Sequence, residues 1–276
     1  MIPKVTSAEA DLAREAAHKV VQTHERLVDF LRVGQTLAQI DAFVARTLDD
    51  LGCRSAFLGY RVPGSPAYPC HACLSVNECV VHGTVGFYSA PMKPGDILKI
   101  DIGVFYKGWV GDAAWSYAFK EASPLARRLM DCGRETLKRG VQTLRPGNSY
   151  IEWARVVQGY AEGECGFHLV RGLGGHGYGR KLHARPYVSN TLPISPGEWA
   201  DAHTPCTPGT LVAVEPMIAV GTGETSQKRL GFGGHDWPIV TADRSLSVHH
   251  EHDVLITGDG PEVLTAGLER LPDIVG

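Results

Sequence analysis

Two aspartates, Asp101 and Asp112, lie inside two runs of strand-forming residues and constrain this chain more than any other feature. The segments Ile97–Phe105 and Trp109–Phe119 are rich in β-branched and aromatic residues and read as a strand pair, with a turn near Tyr106-Lys107-Gly108. With the turn centred between Tyr106 and Lys107, Asp101 falls directly opposite Asp112. Directly opposed side chains share a face, with Cβ atoms about 5 Å apart. Carboxylates that close repel each other, and Ile100, Ile102 and Val110 beside them mark a buried setting where an uncompensated pair is costly. Metal ions are the natural compensation. A competing arrangement stays open: a bulge, or an aspartate at a solvent-facing strand end, would separate the two carboxylates.

The rest of the chain limits the setting. With 43% apolar and 21% charged residues, the 276-residue chain can bury a full core and stay in solution. Its 32 glycines and 17 prolines point to many turns and short strands rather than a helical bundle. A net charge of -3 gives a nucleic-acid role no electrostatic support. No stretch is apolar for the roughly 18 residues a membrane helix needs, and the opening MIPKVTSAEADLARE has no apolar signal core. The seven cysteines read as reduced thiols of a cytoplasmic protein, and Cys70-His71-Ala72-Cys73 lacks the second pair a zinc site would want.

Helical periodicity runs from Ser7 to Leu31, with Ser7 as N-cap, and from Thr36, as cap, through Leu51. Further helices are expected from Ser123 to about Leu144 and from an Asn148 cap to about Tyr160. Leu211–Val220 and Ser247–Ile256 are strand-like, and the run Gly172-Leu173-Gly174-Gly175-His176-Gly177-Tyr178-Gly179 excludes regular helix. Helices then strands, repeated once without a sequence repeat, give one α+β domain over 1–276. Other candidate ligands recur downstream: His176 in the glycine-rich run, Glu215 in Leu211-Val-Ala-Val-Glu215, and Glu251 in Val248-His-His-Glu251. Singly, each has a plain alternative. His176 suits a backbone-bonded turn histidine, Glu215 an arginine pair, and His249, His250 and His252 a polar strand edge. Together, four carboxylates and a histidine on apolar strands are harder to dismiss.

Five stretches in order carry a family resemblance: Ser75–Gly83, Asp101–Asp112, Gly175–Arg180, Val214–Met217 and Asp243–His252. They resemble the type I methionine aminopeptidases of the pita-bread metallopeptidase fold, a pseudo-twofold α+β architecture with a curved antiparallel sheet covered by helices. The resemblance covers nearly the whole chain. It implies metal ligands Asp101, Asp112, His176, Glu215 and Glu251, with His82 and His183 at the substrate and Glu215 also as proton shuttle. It implies a side-chain pocket lined by Phe57, Tyr60, Tyr68, Cys73, Leu182 and Trp237, beside His82 and His183. Two divalent ions about 3.5–4 Å apart can share a water and lower its pKa toward neutrality for attack on the first peptide carbonyl. A mostly oxygen ligand set favours Mn, Fe or Co over Zn. The implied substrates are N-terminal residues, methionine first, of peptides and nascent chains, acted on by a monomer. The weighed alternatives are an Xaa-Pro peptidase of the same fold and a non-catalytic peptide-binding relative.

The sequence departs from the family pattern at several points. Phe57 stands where cysteine is common, Leu182 where phenylalanine is common, and Gly103 where threonine is common. Ala184-Arg185 replaces a usual acidic position, and Arg61 to about Ala67 and Thr191 to Thr207 look extended. A pocket reshaped with little change in volume is the expectation.

Overall fold

The computed structural model describes residues 2–227 and 236–276. Helix α1 (Ser7–Phe30) is capped by Thr6 rather than Ser7. The Thr6 hydroxyl accepts the Glu9 N–H while the Glu9 carboxylate accepts the Thr6 N–H, a reciprocal box that only a cap three residues before Glu9 permits. Helix α2 (Leu37–Asp50) begins at Thr36 with the same box through Gln39, as expected. Strands β1 (Arg54–Ser55), β2 (Cys73–Val76) and β3 (Cys79–Val81) lead to the long hairpin of β4 (Ile97–Tyr106) and β5 (Trp109–Phe119).

The second half opens with α3 (Pro124–Val141), capped by Ser123, and α4 (Ile151–Gln158). Asn148 does not cap α4; Tyr150 stands there without a side-chain hydrogen bond. The Asn148 amide instead donates to the Thr143 carbonyl at 2.8 Å and closes the turn between the helices. A π-helical turn, Gly159–Glu164, continues α4. Strands β6 (His168–Leu169), β7 (Gly174–Gly177), β8 (Ala184–Ser189), β9 (Leu211–Val214), β10 (Met217–Ala219), β11 (Thr225–Ser226), β12 (Ile239–Thr241), β13 (Ser247–His249), β14 (His252–Ile256), β15 (Pro261–Val263) and β16 (Ile274–Val275) follow.

Among the described residues the strands form four sheets, and every pair is antiparallel except β16 on β5. Helix α1 lies on the β4–β5 hairpin with a face of small residues, Ala13, Ala16 and Ala17, none exposed. Small residues are needed because a β-carbon on Gly111 of β5 would sit 2.6 Å from the Ala16 carbonyl carbon. Two long strand-like segments change sheets midway. β9 pairs with β14 in one sheet, β10 pairs with β13 in another, and the crossings fall at Glu215-Pro216 and His250-Glu251. Two of the expected ligands therefore sit at breaks between strands, where a side chain is released from the alternation of a ladder.

Candidate active site

The hairpin register differs from the sequence reading. The turn is Lys107-Gly108, so Asp101 pairs with Ala114 and Asp112 with Gly103. This is a shift of two positions along one strand, which preserves the face because side chains alternate with a period of two. Asp101 and Asp112 are thus diagonal neighbours on the same face, and both line one cavity of about 360 Å³. Glu251 is brought over them by its N–H, which donates at 2.9 Å to the carbonyl of Ala114, the partner of Asp101. Glu215 is held from behind: the Asn190 amide donates to its carbonyl at 2.9 Å, and Trp153 Nε1 donates to Asn190 at 3.1 Å. His176 sits in β7, paired with Ala213, rather than in a turn.

Ligand atoms of Asp112, His176 and Glu251 lie within 4.8 Å of one another, as do those of Glu215, His249 and Glu251. Glu251 belongs to both groups. His176 Nε2 is 3.8 Å from Asp112 Oδ2 and 3.8 Å from Glu215 Oε1. Burial, then the charge of Asp101, holds the Asp112 carboxyl well above the usual range, and burial, then Asp112, does the same to Glu251. Burial, relieved by His249 and reinforced by Glu215, pushes Asp101 up to about 7, and burial pushes Glu215 up to about 8. Burial drives His176 down to about 3, which keeps the ring neutral and its lone pair available. Asp101 Oδ1 and Asp112 Oδ1 are buried without a hydrogen-bond partner. Crowded carboxylates with orphaned oxygens and a neutral imidazole fit divalent cations as the missing positive charge.

The expected pocket residues converge on the same cavity. Phe57, Tyr68, Cys73, Leu182 and Trp237 form one buried apolar cluster, with Tyr60 packed against it. Trp237 stands edge-on to Tyr68 with centroids 5.3 Å apart and donates its indole N–H to the Pro66 carbonyl at 3.0 Å. That bond ties the Arg61–Ala67 extension to the pocket wall, and Val62 from it lines the cavity. Leu182 and His183 enter from the segment before β8. His183 stands edge-on to His176 at 4.3 Å between centroids, with its Nδ1 2.7 Å from the Tyr60 hydroxyl. His82 occupies left-handed backbone space at φ 57, unusual for a side chain of its size, and faces Trp237 edge-on. Burial first, then His249 and His183, lowers its pKa to about 4. A second cavity of about 470 Å³ adjoins the first through His82, His176, His183 and Glu215, and reaches Arg185, Tyr187 and Asp201.

Two residues at the site escaped the sequence reading. His249 is 2% exposed, not edge polarity, and its Nε2 is 3.1 Å from Glu215 Oε2 and 3.9 Å from Glu251 Oε2. Asp253, fully buried on β14, accepts the Asp112 backbone N–H at 2.9 Å and joins the two halves behind the ligands. An acidic residue inside the apolar run His252–Ile256 was the available signal. The cysteines are free thiols, as expected.

The model of metallopeptidase family M24 matches residues 11–258. The methionine aminopeptidase of Aquifex aeolicus is 31% identical over 93% of this chain and 96% of its own length. Methionine aminopeptidase 1 of Bacillus subtilis is 34% identical over 96% of this chain and 99% of its own. Among solved structures, the methionine aminopeptidase of Thermotoga maritima superposes with a TM-score of 0.85 at 31% identity, over 96% of this chain and 99% of that one. The prolidase of Pyrococcus furiosus shares the fold alone, with a TM-score of 0.71 at 17% identity over 95% of this chain and 65% of its own. The architecture is the α+β pita-bread fold of these proteins. This chain belongs to metallopeptidase family M24, among its methionine aminopeptidases.

Proposed function

We propose that this chain removes the N-terminal methionine of peptides and nascent proteins by metal-dependent hydrolysis, working as a single catalytic domain over residues 1–276. One observation carries the reading: buried oxygen and nitrogen donors from four separate stretches of chain meet on the floor of a cavity whose remaining walls are apolar and aromatic. Asp101, Asp112, His176, Glu215 and Glu251 would hold two divalent cations; four of them fall in the two close donor groups that share Glu251, and Asp101 lines the same cavity. The donor set is mostly carboxylate oxygen without thiolate, which favours Mn, Fe or Co over Zn. Cations bound there would polarise the scissile carbonyl and supply hydroxide near neutral pH.

The chain's own residues then position the substrate. Phe57, Tyr68, Cys73, Leu182 and Trp237 receive the first side chain, and a cation held by the acidic cluster would take the free α-amino group, which would restrict cutting to the first bond. Tyr60 donating to His183 Nδ1 leaves the second ring nitrogen protonated and able to donate to the developing oxyanion. His82 holds the amide nitrogen of the scissile bond. Glu215 carries the proton from the attacking water to the leaving amine. His249 would act on Glu215: Oε1 lies 3.8 Å from His176 Nε2 while Oε2 lies 3.1 Å from His249 Nε2, a close approach that would bias the carboxylate's orientation toward a bound cation. Downstream residues of the peptide run into the second cavity. The enzyme would work as a monomer in the cytoplasm, acting on neither membranes nor nucleic acid. Among the described residues no helix is long and apolar enough to cross a membrane, and the net charge is -3.

The test is release of free amino acid from Met-Ala-Ser and from Xaa-Pro peptides by chelator-stripped protein given Mn, Fe or Co. Methionine release that depends on added metal is expected. Preferential cleavage of Xaa-Pro peptides, or metal-independent release, would overturn the reading.

A further inference from the structure

We infer that Phe57 and Gly103 form one steric unit that sets the depth of the side-chain pocket and thereby selects which N-terminal residue is accepted; this rests on the aminopeptidase reading above. Gly103 pairs directly with Asp112, so a side chain at position 103 would stand on the ligand-bearing face of the hairpin. The ring of Phe57 takes that space. A β-carbon on Gly103 would lie 2.4 Å from Phe57 Cε1, 2.7 Å from Cζ and 3.0 Å from Cδ1, well inside van der Waals contact.

The ring cannot readily retreat. Strand β1 pairs with Val104 and Phe105, and the Ala56 N–H donates to the Gly103 carbonyl at 2.8 Å, which lays the following residue over Gly103. The Ser55 hydroxyl accepts from the Phe57 and Leu58 N–H groups at 3.0 and 3.1 Å and donates to the His71 carbonyl at 2.8 Å. Tyr68 closes the far side with its ring edge-on at 6.4 Å. Phe57 is 7% exposed, and that remaining surface faces the cavity shared with Asp101 and Asp112.

Two consequences follow for substrate choice. An aromatic ring in place of a small side chain shortens the pocket on the hairpin side, so a slim, unbranched first residue is accepted and bulky ones are refused. The refusal is steric, so it is removable by truncation. The glycine is required by the ring, so a methyl group at position 103 must drive the ring further into the pocket. Phe57→Ala is therefore expected to raise kcat/KM for Leu-Ala-Ser and Phe-Ala-Ser relative to Met-Ala-Ser by at least about tenfold, the scale of one or more methylenes in a hydrophobic pocket. Gly103→Ala alone is expected to raise KM for Met-Ala-Ser more than for Ala-Ala-Ser and to lower Tm by about 5 °C. In the Phe57→Ala background, Gly103→Ala is expected to lower Tm by much less than it does in wild type, because contacting residues couple while separate ones add.

The experiment is the four-member cycle of wild type, two single variants and the double variant, each metal-loaded, with kcat/KM on the Met, Leu, Phe and Ala peptides and Tm by scanning calorimetry. An unchanged Leu-to-Met ratio in Phe57→Ala, or strictly additive Tm shifts, would overturn the inference. A wild-type protein that releases no N-terminal residue with any metal would instead sink the aminopeptidase reading, while the Tm cycle would still judge the steric coupling.

Discussion

Asp101, Asp112, Glu215 and Glu251 are tolerable together in ionised form only with positive charge among them, since each carboxyl is pushed upward by burial before any neighbour is considered. Asp112→Asn keeps the size of the side chain and the backbone bond to Asp253 while weakening its donor oxygens. Calorimetric titration with Mn is expected to show lost binding, and Met-Ala-Ser turnover to vanish, with an unchanged circular dichroism spectrum. His249→Ala is expected to weaken metal binding about 10–100-fold, and His249→Gln, which keeps an N–H donor, to recover most of it. Equal metal affinity in wild type and His249→Ala would remove His249 from the account. The metal-ligand candidates were legible because an acid in an apolar strand is conspicuous. His249 was not, because three histidines around Glu251 look the same from sequence. Only the crossing at His250-Glu251, and the anchoring of the His249 backbone on Ser116 at 2.8 and 3.0 Å, turn its ring inward.

At the scale of elements, the hairpin of β4 and β5 is the platform and α1 is its clamp. Gly111 lets the helix approach: with the Ala16 carbonyl 2.6 Å from any added β-carbon, the backbone itself must move. Gly111→Ala is expected to cost about 1–3 kcal/mol in urea unfolding, because overpacking at a well-filled contact is met by shifts rather than by rotamer change. A loss below the error of that measurement would mean that α1 is not seated as described. The helices were readable to within a few residues from periodicity and caps, with Thr6 displacing Ser7 because Glu9 fits the box only from there. Asn148 misled because an asparagine in a turn serves a preceding carbonyl as readily as a following helix. The hairpin register was misplaced by two positions, yet the shared face survived, since parity and not register decides the side. The sheet changes at Glu215 and Glu251 left no periodic trace, because the apolar pattern continues across both breaks.

For the whole molecule, the cavity couples proton binding, metal binding and stability. In the metal-free protein, Asp101 rises from 3.8 to about 7 and Glu215 from 4.5 to about 8, so between those limits the folded state holds more protons than the unfolded state. Stability is then fully present below about pH 4 as far as these groups are concerned, and is lost as pH rises through about 7 to 8. Metal displaces the protons, so added Mn should abolish the decline and raise Tm most at high pH. Calorimetric scans of stripped and loaded protein at about pH 5.5 and about pH 8 check this; a Tm gain from Mn no larger at about pH 8 than at about pH 5.5 would contradict it. The α+β pita-bread layout was legible from the order of motifs, whereas the division of the strands among four sheets depends on long-range pairing that no local window contains. The most direct measurement is an anomalous difference map from a crystal soaked in Mn, recorded near the Mn absorption edge. The account predicts two peaks about 3.5–4 Å apart, enclosed by Asp101, Asp112, His176, Glu215 and Glu251. A map with no density among those side chains, at a Mn concentration that supports methionine release, would contradict it.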